Sequence, residues 1–180
     1  MHKSWMVAAA VAMVAAPSVA QTGEDFAAKV INAPLPASLN VYGLPKPPLT
    51  RVKDVDGGKV LRLAIPGADK DVWKIQLQSS TTAPVAKGDR LVIAFHARAS
   101  GMAPGTKARI AVAGIQLNKE PYSQVVGGPI EVGEAFEFHQ VAGKADRDYA
   151  AGELMASLQL ATGKQVFEFG PLFVINLDKK

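Results

Sequence analysis

Alternating apolar and polar positions organise most of this chain. Trp73, Ile75 and Leu77 share one phase of a period of two, and Lys74, Gln76 and Gln78 share the other. Leu91, Ile93, Phe95 and Ala97 share a phase, while His96 and Arg98 take the opposite one. Successive side chains of a strand point to opposite faces, so one set enters a core and the other lies on an outer surface. This phase predicts a core position for the Trp73 indole. The alternating runs are short and separated by turn signals. Asp56-Gly57-Gly58 precedes Lys59–Ile65, Pro66-Gly67-Ala68-Asp69 precedes Val72–Ser80, and Lys87-Gly88-Asp89 precedes Arg90–Ala99. Gly101 to Gly105 precedes Lys107–Asn118, and Phe136–Val141, Leu154–Ala161 and Gln165–Leu177 follow. Many short strands between Gly/Pro turns predict an all-β sandwich or barrel.

Two N-terminal stretches break this grammar. Residues 21–50 have room for one or two helical turns from Glu24 to Ile31. Pro34, Pro36, Pro45, Pro47 and Pro48 then exclude regular helix and disfavour a central strand. A Pro-rich arm over 21–50 is predicted, with a short strand near Leu39–Tyr42, ahead of a β-sandwich domain over 51–180. Residues 1–20 pair Lys3 with an apolar run from Met6 to Ala16, then Pro17 and Ser18-Val19-Ala20. Basic, apolar and small-residue parts in that order predict a signal peptide cleaved after Ala20. The apolar run falls short of the roughly 20 residues that span a bilayer, and no later stretch reaches that length. The expected location is the periplasm or the cell exterior.

Composition narrows the chemistry. Cysteine is absent, which excludes thiol catalysis and thiolate metal sites. A chain of this size holds a core without disulfides. The formal charge is +4 and the basic residues are scattered. A nucleic-acid surface would gather them on one stripe, so no nucleic-acid partner is expected. There is no nucleophile elbow, phosphate loop or dinucleotide fingerprint.

The stretch from Val72 to Asn176 resembles the carbohydrate-binding modules of families 4, 9 and 22, the galactose-binding-like jelly rolls attached to xylanases and related glycoside hydrolases. Five pieces carry the resemblance in order: Asp71-Val72-Trp73-Lys74-Ile75-Gln76-Leu77, with Gln three after Trp; Val85 to Leu91, leading to His96-Ala97-Arg98-Ala99; Pro121-Tyr122; Asp148-Tyr149-Ala150-Ala151-Gly152; and Leu158 to Gly170, closing on Asn176. The resemblance implies a jelly-roll β-sandwich holding a polysaccharide or oligosaccharide on a concave sheet face or at a rim. It also implies a groove aromatic, which the outward positions here, mostly Gln, His, Arg, Lys and Ala, do not supply.

The candidate ligand-binding residues are Gln76, Gln78, His96, Arg98, Tyr122 and Gln165. The first four would share a groove if their strands were neighbours, and their amide, imidazole and guanidinium groups suit sugar hydroxyls. The alternative is a plain polar sheet face, with Arg98 in a structural ion pair. His96 and His139 lack metal-ligand spacing. Tyr122 is either a rim platform or a packed loop anchor, and Gln165 either a ligand contact or a turn cap. Asp54, Asp56, Asp69 and Asp71 form two Asp-x-Asp pairs, and the resembling fold often holds a structural calcium. No full calcium loop is present, and loop aspartates usually serve turns, so no cofactor is expected.

Three functions remain open on the sequence: an exported, non-catalytic carbohydrate-binding domain; an envelope β-sandwich that has lost sugar binding and docks a protein; and a small polysaccharide-active enzyme.

Overall fold

A computed structural model describes residues 23–55 and 57–179. The signal-peptide segment and Asp56 lie outside the described residues. The order of elements is helix α1 (Gly23–Lys29), then strands β1 (Asn40–Tyr42), β2 (Leu49–Arg51), β3 (Lys59–Ile65), β4 (Gln76–Ser80) and β5 (Arg90–Ser100). Strands β6 (Ala108–Leu117), β7 (Gln124–Val132), β8 (Glu137–Lys144), β9 (Leu154–Gln159) and β10 (Gln165–Asn176) follow.

The strands form two antiparallel five-stranded sheets. The first has the order β1-β4-β9-β6-β7 and the second β2-β3-β10-β5-β8. The fold is the jelly-roll β-sandwich that the alternation and the resemblance predict. Leu77, Ile115 and Leu158 of the first sheet meet Leu63, Leu91, Ile93, Phe95, Phe167 and Phe169 of the second, all buried in one core. Phe167 and Phe169 stack with centroids 5.4 Å apart, and Phe95 meets Phe169 edge-on at 6.2 Å. Such aromatic pairs contribute about 0.5–1.5 kcal/mol beyond their burial.

Residues 23–50 are stitched into both sheets. The Ile31 N–H donates to Val174 O at 2.8 Å, and its carbonyl accepts from Thr82 N at 2.7 Å. Asn32, buried, donates through Nδ2 to Ser79 Oγ on β4 and to Leu172 O on β10, and accepts the Val174 N–H at Oδ1. That amide satisfies backbone groups where the β10 register shifts between Phe169 and Leu172. Helix α1 lies on the outer face of the second sheet, with Phe26 edge-on to Phe173 at 5.5 Å. Val30 packs there against the buried Val92, Ala94 and Ile175.

Among the described residues no helix is long and apolar enough to cross a membrane.

Candidate functional site: an amide-lined groove on the first sheet

The outer face of the first sheet is built from aligned rows of side chains. Tyr42 on β1 is opposite Gln76 on β4, and Gln76 is opposite Gln159 on β9. One step along, Asn40, Gln78, Ser157 and Gly114 align across β1, β4, β9 and β6. The next row holds Ser80, Met155 and Gln116. These positions share a face because each row is two residues from the last.

A groove of about 510 Å³ runs over these rows. Gln76, Gln78, Gln116, Gln159, Asn118 and Met155 line it, with Tyr42 and Trp73 at one side and Pro121 and Tyr122 at another. Tyr42, Trp73 and Tyr122 are each about half exposed, at 48%, 48% and 50%. The row through Gln78 also holds the small residues Ser157 and Gly114. A Cβ on Gly114 would come within 2.4 Å of the Val126 carbonyl oxygen.

Trp73 reaches the groove because it is not in a strand. Residues Val72–Lys74 form a single 3-10 turn, and the pleat starts only at Gln76. The strand phase therefore does not extend back to Trp73, and its expected core position is corrected: Ile75 and Leu77 are buried, and the indole lies in the groove. Gly43, with φ of +81°, carries the chain off β1 against this turn. A Cβ there would stand 1.8 Å from Lys74 O. The left-handed conformation and the close approach both require glycine. The groove aromatics are thus Trp73, Tyr42 and Tyr122.

Tyr122 follows a cis Glu120–Pro121 bond and has φ of +55°, with its N–H on Lys119 O at 2.8 Å. A bulky residue in the left-handed region costs about 1–2 kcal/mol. Its ring lines the groove and stays half exposed, so the rim position is the one observed, not a packed anchor.

Polar contacts order the groove wall. Gln76 donates through Nε2 to Trp73 O at 2.7 Å. Its Oε1 accepts from Ser157 Oγ at 2.6 Å and from Gln78 Nε2 at 3.0 Å. Neither Gln116 nor Gln159 makes a side-chain hydrogen bond among the described residues, so their amides face the groove with free donors and acceptors. No charged side chain lines the groove among the described residues.

The structure brings Gln76, Gln78 and Tyr122 together and separates the other three candidates. His96 and Arg98 lie on β5, in the second sheet, because the chain between Ser80 and Arg90 crosses from one sheet to the other. Strands β4 and β5 are neighbours in sequence and not in space, so the expected four-residue face does not form. Arg98 instead ion-pairs with Glu168, its register partner on β10, and its guanidinium lies 4.5 Å from the Phe136 ring centroid. His96 meets Phe138 edge-on at 5.1 Å. Gln165 opens β10, also in the second sheet, and its Nε2 donates to Thr162 Oγ1 at 2.8 Å, closing the turn. Lys74 is 3.1 Å from Asp69 and 3.4 Å from Asp71, so an ammonium occupies the space between these two carboxylates. Among the described residues no three metal-binding side chains cluster.

Gln116, Asn118, Gln159, Met155 and Tyr42 were missed as groove residues. The signal for some was present: Leu154, Ala156 and Leu158 alternate with Met155, Ser157 and Gln159. Tyr42 sits in a three-residue strand, too short for a period to show.

No family model matches the sequence, and no curated protein matches it. Solved structures match the fold. A CBM4 module superposes with a TM-score of 0.58 at 15% identity, covering 78% of this chain and 96% of that one. The N-terminal cellulose-binding domain of Cellulomonas fimi β-1,4-glucanase C gives 0.56 at 17% identity, covering 78% and 90%. The CBM22-1 xylan-binding domain of Paenibacillus barcinonensis Xyn10C gives 0.52 at 11%, covering 83% and 92%. With two such sheets and this topology, the chain has the jelly-roll fold of the carbohydrate-binding modules of the family 4, 9 and 22 type.

Proposed function

We propose that this chain is an exported, non-catalytic carbohydrate-binding domain whose first sheet holds a neutral polysaccharide chain in the groove. One observation carries the reading: three half-exposed aromatic rings border a groove whose wall is a bank of amides. A pyranose has apolar C–H faces that stack on rings and equatorial hydroxyls that both donate and accept. Aromatic and amide groups match those two demands. A groove without charge gives a uronate or sulfate nothing to pair with, which favours a neutral glycan. The same lining offers no carboxylate or imidazole as general acid or base, which supports binding without hydrolysis. Export rests on the order of basic, apolar and small residues before Gln21.

The test is calorimetry with soluble β-1,4-glucan, xylan and galactan, beside polygalacturonate as an acidic control. Saturable binding to a neutral polymer is expected, with Kd in the micromolar to millimolar range and little change with salt. A folded protein that binds none of the neutral polymers overturns the reading. Release of reducing ends overturns the non-catalytic part.

A further inference from the structure

The amides of the groove wall form a directed chain. It begins at a group whose polarity is fixed, the backbone carbonyl of Trp73. A carbonyl only accepts, so the Gln76 atom 2.7 Å away is the donating Nε2. That leaves Gln76 Oε1 facing the other way, where Ser157 Oγ at 2.6 Å and Gln78 Nε2 at 3.0 Å both donate to it. Both acceptor sites of Gln76 Oε1 are then filled. Gln76 is 7% exposed and Ser157 1%. Gln78, half-buried, is turned so that its own Oε1 is left over.

We propose that Gln76 is a positioning residue: it pins the turn that presents Trp73 and orients the Gln78 amide so that Gln78 Oε1 accepts a sugar hydroxyl. The proposal rests on the carbohydrate-binding reading and narrows it. The contact role expected for Gln76 moves to Gln78, and a hydroxyl bound there must donate. A chain of this kind transmits one error along its length. Reversing Gln76 would place oxygen against the Trp73 oxygen, and Gln78 would have to reverse too.

The experiment uses the full chain with Trp5→Phe, so that Trp73 is the single indole. In Gln76→Glu at pH 9.5, above the roughly 8–9 that burial can impose on a carboxyl, the carboxylate faces the Trp73 carbonyl without a proton. The turn should loosen, shown by red-shifted and more acrylamide-quenched Trp73 emission. Affinity for the best neutral glycan should fall at least about tenfold. A protonated carboxyl offers an O–H donor at one end and an accepting carbonyl oxygen at the other, the same polarity that the Gln76 amide uses here. Burial and the facing carbonyl raise the pKa of such a carboxyl, so emission and affinity should recover as pH falls and it takes up its proton, above the ordinary carboxylate range. The parent protein should show no such recovery. Gln78→Met should lose about tenfold in affinity with Trp73 emission unchanged.

Parent-like emission and affinity in Gln76→Glu at pH 9.5 overturn the positioning role. A loss that persists on acidification, with far-UV dichroism intact, overturns it too. Should Gln76→Glu not fold at pH 9.5, Gln78→Met decides: parent-like affinity overturns the assignment of the acceptor. If the parent binds no glycan, the proposed function fails, while the emission arm still decides whether Gln76 holds Trp73.

Discussion

Trp73 and Gln76 face the same groove although they are an odd three positions apart, because a 3-10 turn carries the first and a strand begins with the second. The indole is half exposed, whereas Leu77, one residue beyond Gln76, is fully buried. Trp73→Ala should lower glycan affinity at least about tenfold, or 1.4 kcal/mol, and lower stability by less than about 1 kcal/mol. Leu77→Ala should cost about 2–5 kcal/mol of stability. Paired thermal melts and calorimetry separate the two effects.

Arg98 belongs to the opposite sheet. Arg98→Ala should leave glycan affinity unchanged, because its partners are Glu168 and the Phe136 ring. Glu168 is largely shielded, with 13% of its side chain exposed, and would keep only the more distant Arg62 at 3.6 Å. A loss of about 1 kcal/mol is expected in denaturant titration.

Tyr122 couples strain to presentation. Tyr122→Gly should raise stability by up to about 1 kcal/mol, since glycine adopts a φ of +55° freely. The same change removes a groove ring, so affinity should drop. Chemical denaturation beside glycan titration reads both. A variant that is less stable and binds normally would contradict the assignment.

His139 gives stability, and not binding, a pH dependence. Its ring packs beside Phe95 at 5.5 Å, and burial holds its pKa below the ordinary histidine value, against a smaller opposing pull from Glu137. The unfolded chain therefore takes up the proton first as pH falls, and unfolding gains free energy from it. Stability should decline from about pH 7 downward through the model-peptide value near 6.5, and level off below the folded pKa. Melts of His139→Gln from pH 5 to 8 should show a shallower slope. Glycan affinity should stay flat over that range, because neither carboxylate nor imidazole lines the groove among the described residues.

The sequence displays strand phase well where strands are long. Arg90–Ser100 alternates cleanly, and its inward set, Leu91, Ile93, Phe95 and Ala97, is buried as read. It does not display which strands share a sheet. The crossing between Ser80 and Arg90 is a long-range choice, and no local pattern distinguishes it from a hairpin. That is why Gln78 and Arg98, both correctly placed on outer faces, end on opposite sides of the molecule. Trp73 failed for a local reason, since one turn of 3-10 helix resets the phase. Tyr122 was legible as a loop aromatic after Pro121, but its rim position depends on a left-handed backbone that the sequence does not announce.

The separation of the two sheets has a practical meaning for altering this protein. The devices that hold the fold, from the Arg98–Glu168 pair to the core of Leu77, Phe167 and Phe169, lie on the second sheet or between the two sheets. The groove positions at Gln78, Gln116 and Gln159 have their backbones fixed by ladder bonds and their side chains on the outer face of the sheet. Substitutions on an outer face, away from the core, usually change stability little. A library randomised at those three positions should keep its members folded, which makes the first sheet a transplantable recognition surface; Gln76 is the groove amide to hold constant.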